Sequence, residues 1–210
     1  MPANWVNFKS NMKKSLGIPN EITISDLAEL HATEYINAIT SATIILSLSK
    51  VSGGLNKDNI KRAYTDVFTK LSNETIELTP DYKGNNFNAN KSSSNDKIES
   101  IFEPLAVAIC TEWLTETFTP SVTPPGYISA TAGYTVIVPG DPNSLKQDLA
   151  KAFFIAQTEL NQDVAFNVFI TGLVLAYSKH LLKITGVFNG LIPAAPSPIA
   201  GPPLPFIGII

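Results

Sequence analysis

The chain has 210 residues, enough to bury one sizeable core. Its hydrophobic fraction of 44% is ordinary, but charged residues make up only 16%, against a typical ~25%; Ser, Thr and Asn supply the polarity instead. A net charge of −3 and a pI near 5.4 speak against nucleic acid as the main partner, because phosphate binding needs clustered Lys and Arg.

Taken in order, Asn4 caps a first helix with Trp5, Phe8, Met12 and Leu16 on one face, at spacings of three and four. Gly17 and the Ile18-Pro19-Asn20 turn stop it. The opening MPANWVNFKS has neither the basic nor the apolar region of a signal peptide, and none is expected. Thr23 to Ser25 open a second helix, predicted to run to about Val51. Its Ala28, Ala32, Tyr35, Ile39, Ala42 and Leu46 form a seam of small residues that lets a neighbouring helix approach closely. Asn56 caps a third helix with Ile60, Tyr64, Val67 and Leu71 on its face, again at helical spacing.

The composition then turns polar, and residues 83–95 read as a loop without apolar periodicity. A fourth helix is expected from about Asp96 to Phe118, and Pro104 either kinks it or restarts it. Residues 119–142 are Pro-rich, and Tyr127-Ile128 and Tyr134–Val138 flank Thr131-Ala132-Gly133 as a small β-hairpin, a loop of turn-forming residues between two β-prone runs. Ser144 caps a fifth helix, and a sixth restarts at Asn161 to Asp163. This last helix is apolar on nearly all sides, which predicts a central position with Phe169 and Leu173 buried. Its apolar run, Val164 to Tyr177, is shorter than the ~20 residues needed to span a bilayer.

Residues 186–210 carry no charged side chain and six prolines, Pro193, Pro196, Pro198, Pro202, Pro203 and Pro205, which forbid helix. An apolar, proline-stiffened terminus is a poor disordered tail. It calls for a covering groove, on its own domain or on a partner. The expected contacts are Leu191, Ile192, Leu204, Phe206, Ile207, Ile209 and Ile210 on the arm, with Tyr127 and Tyr134 of the hairpin segment as further candidates.

Side chains with chemistry are sparse. Cys110 is the one cysteine, so no intrachain disulfide forms, and a buried free thiol is the expected state. His31 and His180 lie in different helices without a metal-binding spacing. Glu112 and Glu116 share a helix face at i, i+4; acid–base work by such a pair is weighed against two solvated acids, and the second reading is preferred. No nucleophile elbow, phosphate loop or dinucleotide fingerprint is present. Catalytic, cofactor and metal sites are therefore all expected to be absent.

The opening NWVNFKSNMKKSLGIPNE, then DLAELHATEYINAI, then a Thr/Pro-rich segment closing in VIVPGDP ahead of a helix together resemble the small virion structural proteins of T4-like and other contractile-tailed phages, including cyanophages. The resemblance implies a non-enzymatic component of the virion, assembled in the host cytoplasm and present in several copies. Its partners would be other virion proteins or copies of itself, with no nucleic acid, membrane or small-molecule substrate. The alternative is a monomeric binding module or host-interaction protein with the arm folded on its own body. The expected fold is mainly α: a bundle of about six helices over residues 1–185, a small β-hairpin within 119–142, and an extended Pro-rich arm over 186–210.

Overall fold

The computed structural model describes residues 2–16, 22–45, 49–51, 54–73, 93–120 and 123–210. The polar loop expected over 83–95 lies outside the described residues except for its last three, which open a helix, and the Ile18-Pro19-Asn20 turn lies outside them entirely.

Among the described residues six helices form: α1 (Trp5–Leu16), α2 (Ile24–Ile39), α3 (Lys57–Asn73), α4 (Ser93–Thr115), α5 (Pro142–Gln157) and α6 (Gln162–Leu181). Their starts follow from local capping, which satisfies amides that no helical carbonyl can reach. Thr23 and Asp26 make a reciprocal capping box on α2. Asn56 accepts from the amides of Asp58 and Asn59 at α3, and Asn161 from those of Asp163 and Val164 at α6. For α5 the cap is Asp141 rather than Ser144, with Pro142 in the first turn, where its missing N–H costs nothing. Helix α4 runs unbroken through Pro104. Each helix packs on the next in sequence, and α6 returns to α1, closing a ring.

The second helix stops at Ile39, well before Val51. The serine-rich, β-branched stretch beyond it has poor helix propensity and bridges to strands instead. Thr43 exchanges two backbone hydrogen bonds with Ile210, at 2.8 and 2.9 Å, and Ile44 bridges Ile209.

The remaining chain builds an antiparallel sheet of six strands: β1 (Lys50–Val51), β2 (Thr117–Thr119), β3 (Ser129–Pro139), β4 (Ile184–Ile192), β5 (Ile199–Ala200) and β6 (Leu204–Ile207). The order is β1-β2-β3-β4, and β5 and β6 lie one after the other along the free side of β4. Inward positions Ile184, Gly186, Phe188 and Gly190 alternate with half-buried outward ones along β4, the period of a sheet with one buried face. Register shifts between Ala130 and Gly133, and again between Val136 and Val138, interrupt that period in β3. Gly133 takes φ +67 at the first shift, and a Cβ there would stand 2.2 Å from the Phe118 carbonyl oxygen, so only glycine fits. Pro205 is tolerated because β6 is an edge strand that needs partners on one side only.

The mainly helical bundle with a small hairpin is therefore corrected to a mixed α/β fold. The expected hairpin does not form: its turn, Thr131-Ala132-Gly133, and its second half, Tyr134–Val138, run on in one strand, β3, which pairs with β2 and β4, and Tyr127-Ile128 lie just before that strand. The arm is not a free extension either, since residues 186–207 supply most of β4 and all of β5 and β6. A second correction concerns α6. Leu173 is buried as expected, but Phe169 is only half-buried and Leu175 is 56% exposed. With α5 and α1 as its helical neighbours, α6 is covered on one side and forms part of the rim of the ring.

Phe206 of β6 is the seal between arm and body. It packs edge-on against Phe118 and Tyr134, at ring separations of 5.8 Å in both cases. It also lies over Gly186, where a Cβ would come within 2.4 Å of the ring. Phe206→Ala should cost ~3–5 kcal/mol and Gly186→Val should lower the urea midpoint in the same direction, whereas the outward Ile207→Asp should change it by about 0.5 kcal/mol or less. An unchanged midpoint for Phe206→Ala would mean that the arm is not part of the core.

Candidate functional site

The acidic pair is the first place to look for chemistry, and the structure puts it to a different use. Glu112 and Glu116 are buried near the C-terminal end of α4, not solvated. Glu112 Oε2 accepts from the Asn56 amide at 2.8 Å and Oε1 from the Asn59 side-chain amide at 2.7 Å. A carboxylate thus receives donors at the N-terminus of α3, where the helix dipole favours negative charge. Glu116 Oε1 accepts from the Thr117 amide, and its other oxygen lies 3.4 Å from where a Gly54 Cβ would stand. Glu112 thus ties α4 to the start of α3, and Glu116 lies against Gly54 just before it.

His31 and His180 do not meet: one is on α2, the other in the last turn of α6. His31 sits between Tyr64 and Phe68, with ring separations of 5.1 and 5.0 Å. His180 is 3% exposed beside Asp141, and neither of its ring nitrogens has a hydrogen-bond partner among the described residues. Burial disfavours the imidazolium, lowering His180 to about 4, with Lys183 adding to the effect, and His31 to about 3. Cys110 is a buried free thiol that burial pushes up to about 12, which keeps it a protonated, unreactive packing group. Among the described residues, no group of three or more His, Cys, Asp or Glu could hold a metal ion.

The surface offers more than the interior. Of the expected arm contacts, Phe206 and Ile209 are buried in the chain's own core, Leu191, Ile192 and Leu204 are half-buried, and Ile207 and Ile210 face out. Tyr134 lies on the inner side of the sheet against Phe188. Tyr127 packs edge-on to Phe188 and donates its hydroxyl proton to the Pro202 carbonyl, clasping the arm rather than projecting from it.

The outer face of the sheet was not singled out by the sequence. Cross-strand registers place Thr117, Thr135, Val187 and Pro205 in one row and Val138, Thr185 and Ile207 in the next. Ile207 is 71% exposed, and Ile137 beside Val138 is 57% exposed. These rows hold no charged side chain, and their β-branched residues make a largely apolar surface of the kind that marks interaction sites. The alternation in Tyr134–Val138 is the signal in the sequence that points to this face.

Two measurements test these placements. Glu112→Ala strands the Asn56 amide and should cost ~1–3 kcal/mol, seen as a lower urea midpoint. The buried histidines set a pH window: the unfolded chain binds protons from pH 6.5 downward while the folded chain resists. Stability is full above pH 6.5 and is lost as the pH falls toward 4 and then 3, by on the order of 3 kcal/mol for His180 alone. His180→Leu should flatten the part of that decline between pH 6.5 and 4. No known protein family, curated protein or solved structure matches this chain, so its function is argued from its own surface.

Proposed function

We propose that the protein is a non-enzymatic structural subunit of a multi-protein assembly, of the kind that builds contractile-tailed phage particles. The observation that carries this reading is the outer face of the sheet over β3, β4 and β6, whose rows hold no charged side chain. Ile137, Val138 and Ile207 stand exposed there among threonines. Leaving such a face in water forfeits about 25 cal/mol per Å² of apolar surface. Covering it with a neighbouring sheet, about 10 Å away in a face-to-face packing, recovers that energy without desolvating a charge. The low overall charge of the chain suits a protein with covered surfaces.

The alternative, a monomeric binding module or host-interaction protein, draws on a different observation: the arm folds on its own body, with Ile209 and Phe206 buried. Mass spectrometry of purified particles separates the two. The assembly reading expects the wild-type chain in the particles. It also expects Ile207→Asp, which leaves the isolated fold intact, to be excluded from them. A chain missing from the particles that is monomeric in solution supports the alternative and sinks the first reading.

A further inference from the structure

Helix α5 follows β3 and helix α6 leads into β4, so the turn joining α5 to α6 lies at the end of the helical layer far from the sheet. An open cavity of about 310 Å³ sits there, between the last turns of α3 and α5 and the first turns of α6. Phe68, Phe153, Phe166 and Phe169 wall it, each only half-buried, and among the described residues its polar lining is limited to the amides of Gln157 and Gln162. An apolar cavity of ~150 Å³ holds a benzene molecule. Twice that volume accommodates a leucine side chain together with part of the turn that carries it.

The same turn presents such a leucine. Leu160 lies between the two cavity glutamines in sequence and is the most exposed large hydrophobic residue among those described, at 103% relative exposure. It has no local duty: Thr158 ends α5 and Asn161 caps α6. Knob and hole are thus neighbours on one surface. Any two-fold axis that brings one copy's turn over the other's cavity does the same in reverse.

We propose that two copies of this chain pair through this end, with Leu160 of each filling the phenylalanine cavity of the other. Shape and polarity support that occupant: the knob is apolar and fully exposed, and the cavity that would receive it is walled by four phenylalanine rings. The pairing goes beyond the assembly reading and uses a different surface from the sheet face; only its role, building from copies of the chain, rests on that reading.

Sedimentation equilibrium on the pure full-length chain tests it without particles, so its failure and the failure of the assembly reading are separate results. The wild type should form dimers, and Leu160→Ala should weaken them on the order of 100-fold, since apolar burial is lost twice per dimer. Ala165→Phe, which fills the cavity from within, should have a similar effect. Because Leu160 is fully exposed in the single chain, Leu160→Ala should leave the melting midpoint at concentrations below dimer formation unchanged. The proposal is overturned if the chain stays monomeric up to about 1 mM, or if its dimers survive Leu160→Asp. It is equally overturned if the monomer instead takes up the neutral probe N-phenyl-1-naphthylamine at this cavity without dimerising, which would make it a small-ligand site.

Discussion

The fold depends on a set of buried rings that must share hydrogen bonds as well as contacts. Tyr35 of α2, Tyr64 of α3, Trp113 of α4 and Tyr177 of α6 are all sealed from solvent. The Trp113 indole donates to the Tyr35 hydroxyl at 2.9 Å, and the Tyr64 and Tyr177 hydroxyls bond each other. Tyr35 meets Tyr177 edge-on at 4.9 Å, and Trp5 of α1 stacks on Tyr177 from outside. Four helices therefore converge on a few polar atoms that water cannot reach, and α1 covers them from outside. Moving any one of the four strands a donor or acceptor, which costs more than the net strength of the bond. Burial pushes all three phenols above their usual range, so they stay neutral donors at any ordinary pH.

Trp113 extends this constraint into the sheet. It stacks on Phe118 of β2, which packs against Phe206 of β6; Tyr134, Phe188 and Tyr127 continue the chain of rings. Helical layer and sheet thus share one core rather than lying side by side. The arm is needed because β4 would otherwise show both a bare edge and an uncovered Gly186. Exposed edges invite pairing with other chains, and here a proline-rich segment of the same chain occupies the position. Its missing N–H groups make the new outer edge a poor template for a further strand. Association through the sheet is thereby steered from its edge to its face.

The helices were legible because their period and caps lie within a few residues of each other. The α2 seam of Ala28, Ala32, Tyr35 and Ile39 is fully buried, as its spacing required. The sheet was not legible, for identifiable reasons. Two of the four inward positions of β4 are glycines, Gly186 and Gly190, so the apolar alternation that would reveal a strand is half silent. Two bulges break the alternation of β3, and β1, β2 and β5 are two or three residues long. Six prolines then hid β6, although β4 ends before the first of them. Glu112 looked like a surface acid because the groups that satisfy it, on Asn56 and Asn59, lie more than fifty residues away in sequence.

The misplacement of α6 carries a different lesson. A helix apolar all round is consistent with complete burial, and on its inner side Ile170, Leu173, Ala176 and Tyr177 meet that expectation. By length and composition it would even pass for a membrane span, yet a third of its apolar window is buried in this body. Core packing accounts for the inner stripe alone. The outer residues Val164 and Leu175, and Leu182 just past the helix, stay about half-exposed in the single chain, and polar replacements there would cost its fold little. Among the described residues, apolar side chains left exposed by the single chain include those of this helix, the outer face of the sheet and the α5–α6 turn. Each is a surface whose energy is realised only when something else covers it, which is why the physical case for a partner is stronger than the case for a reaction.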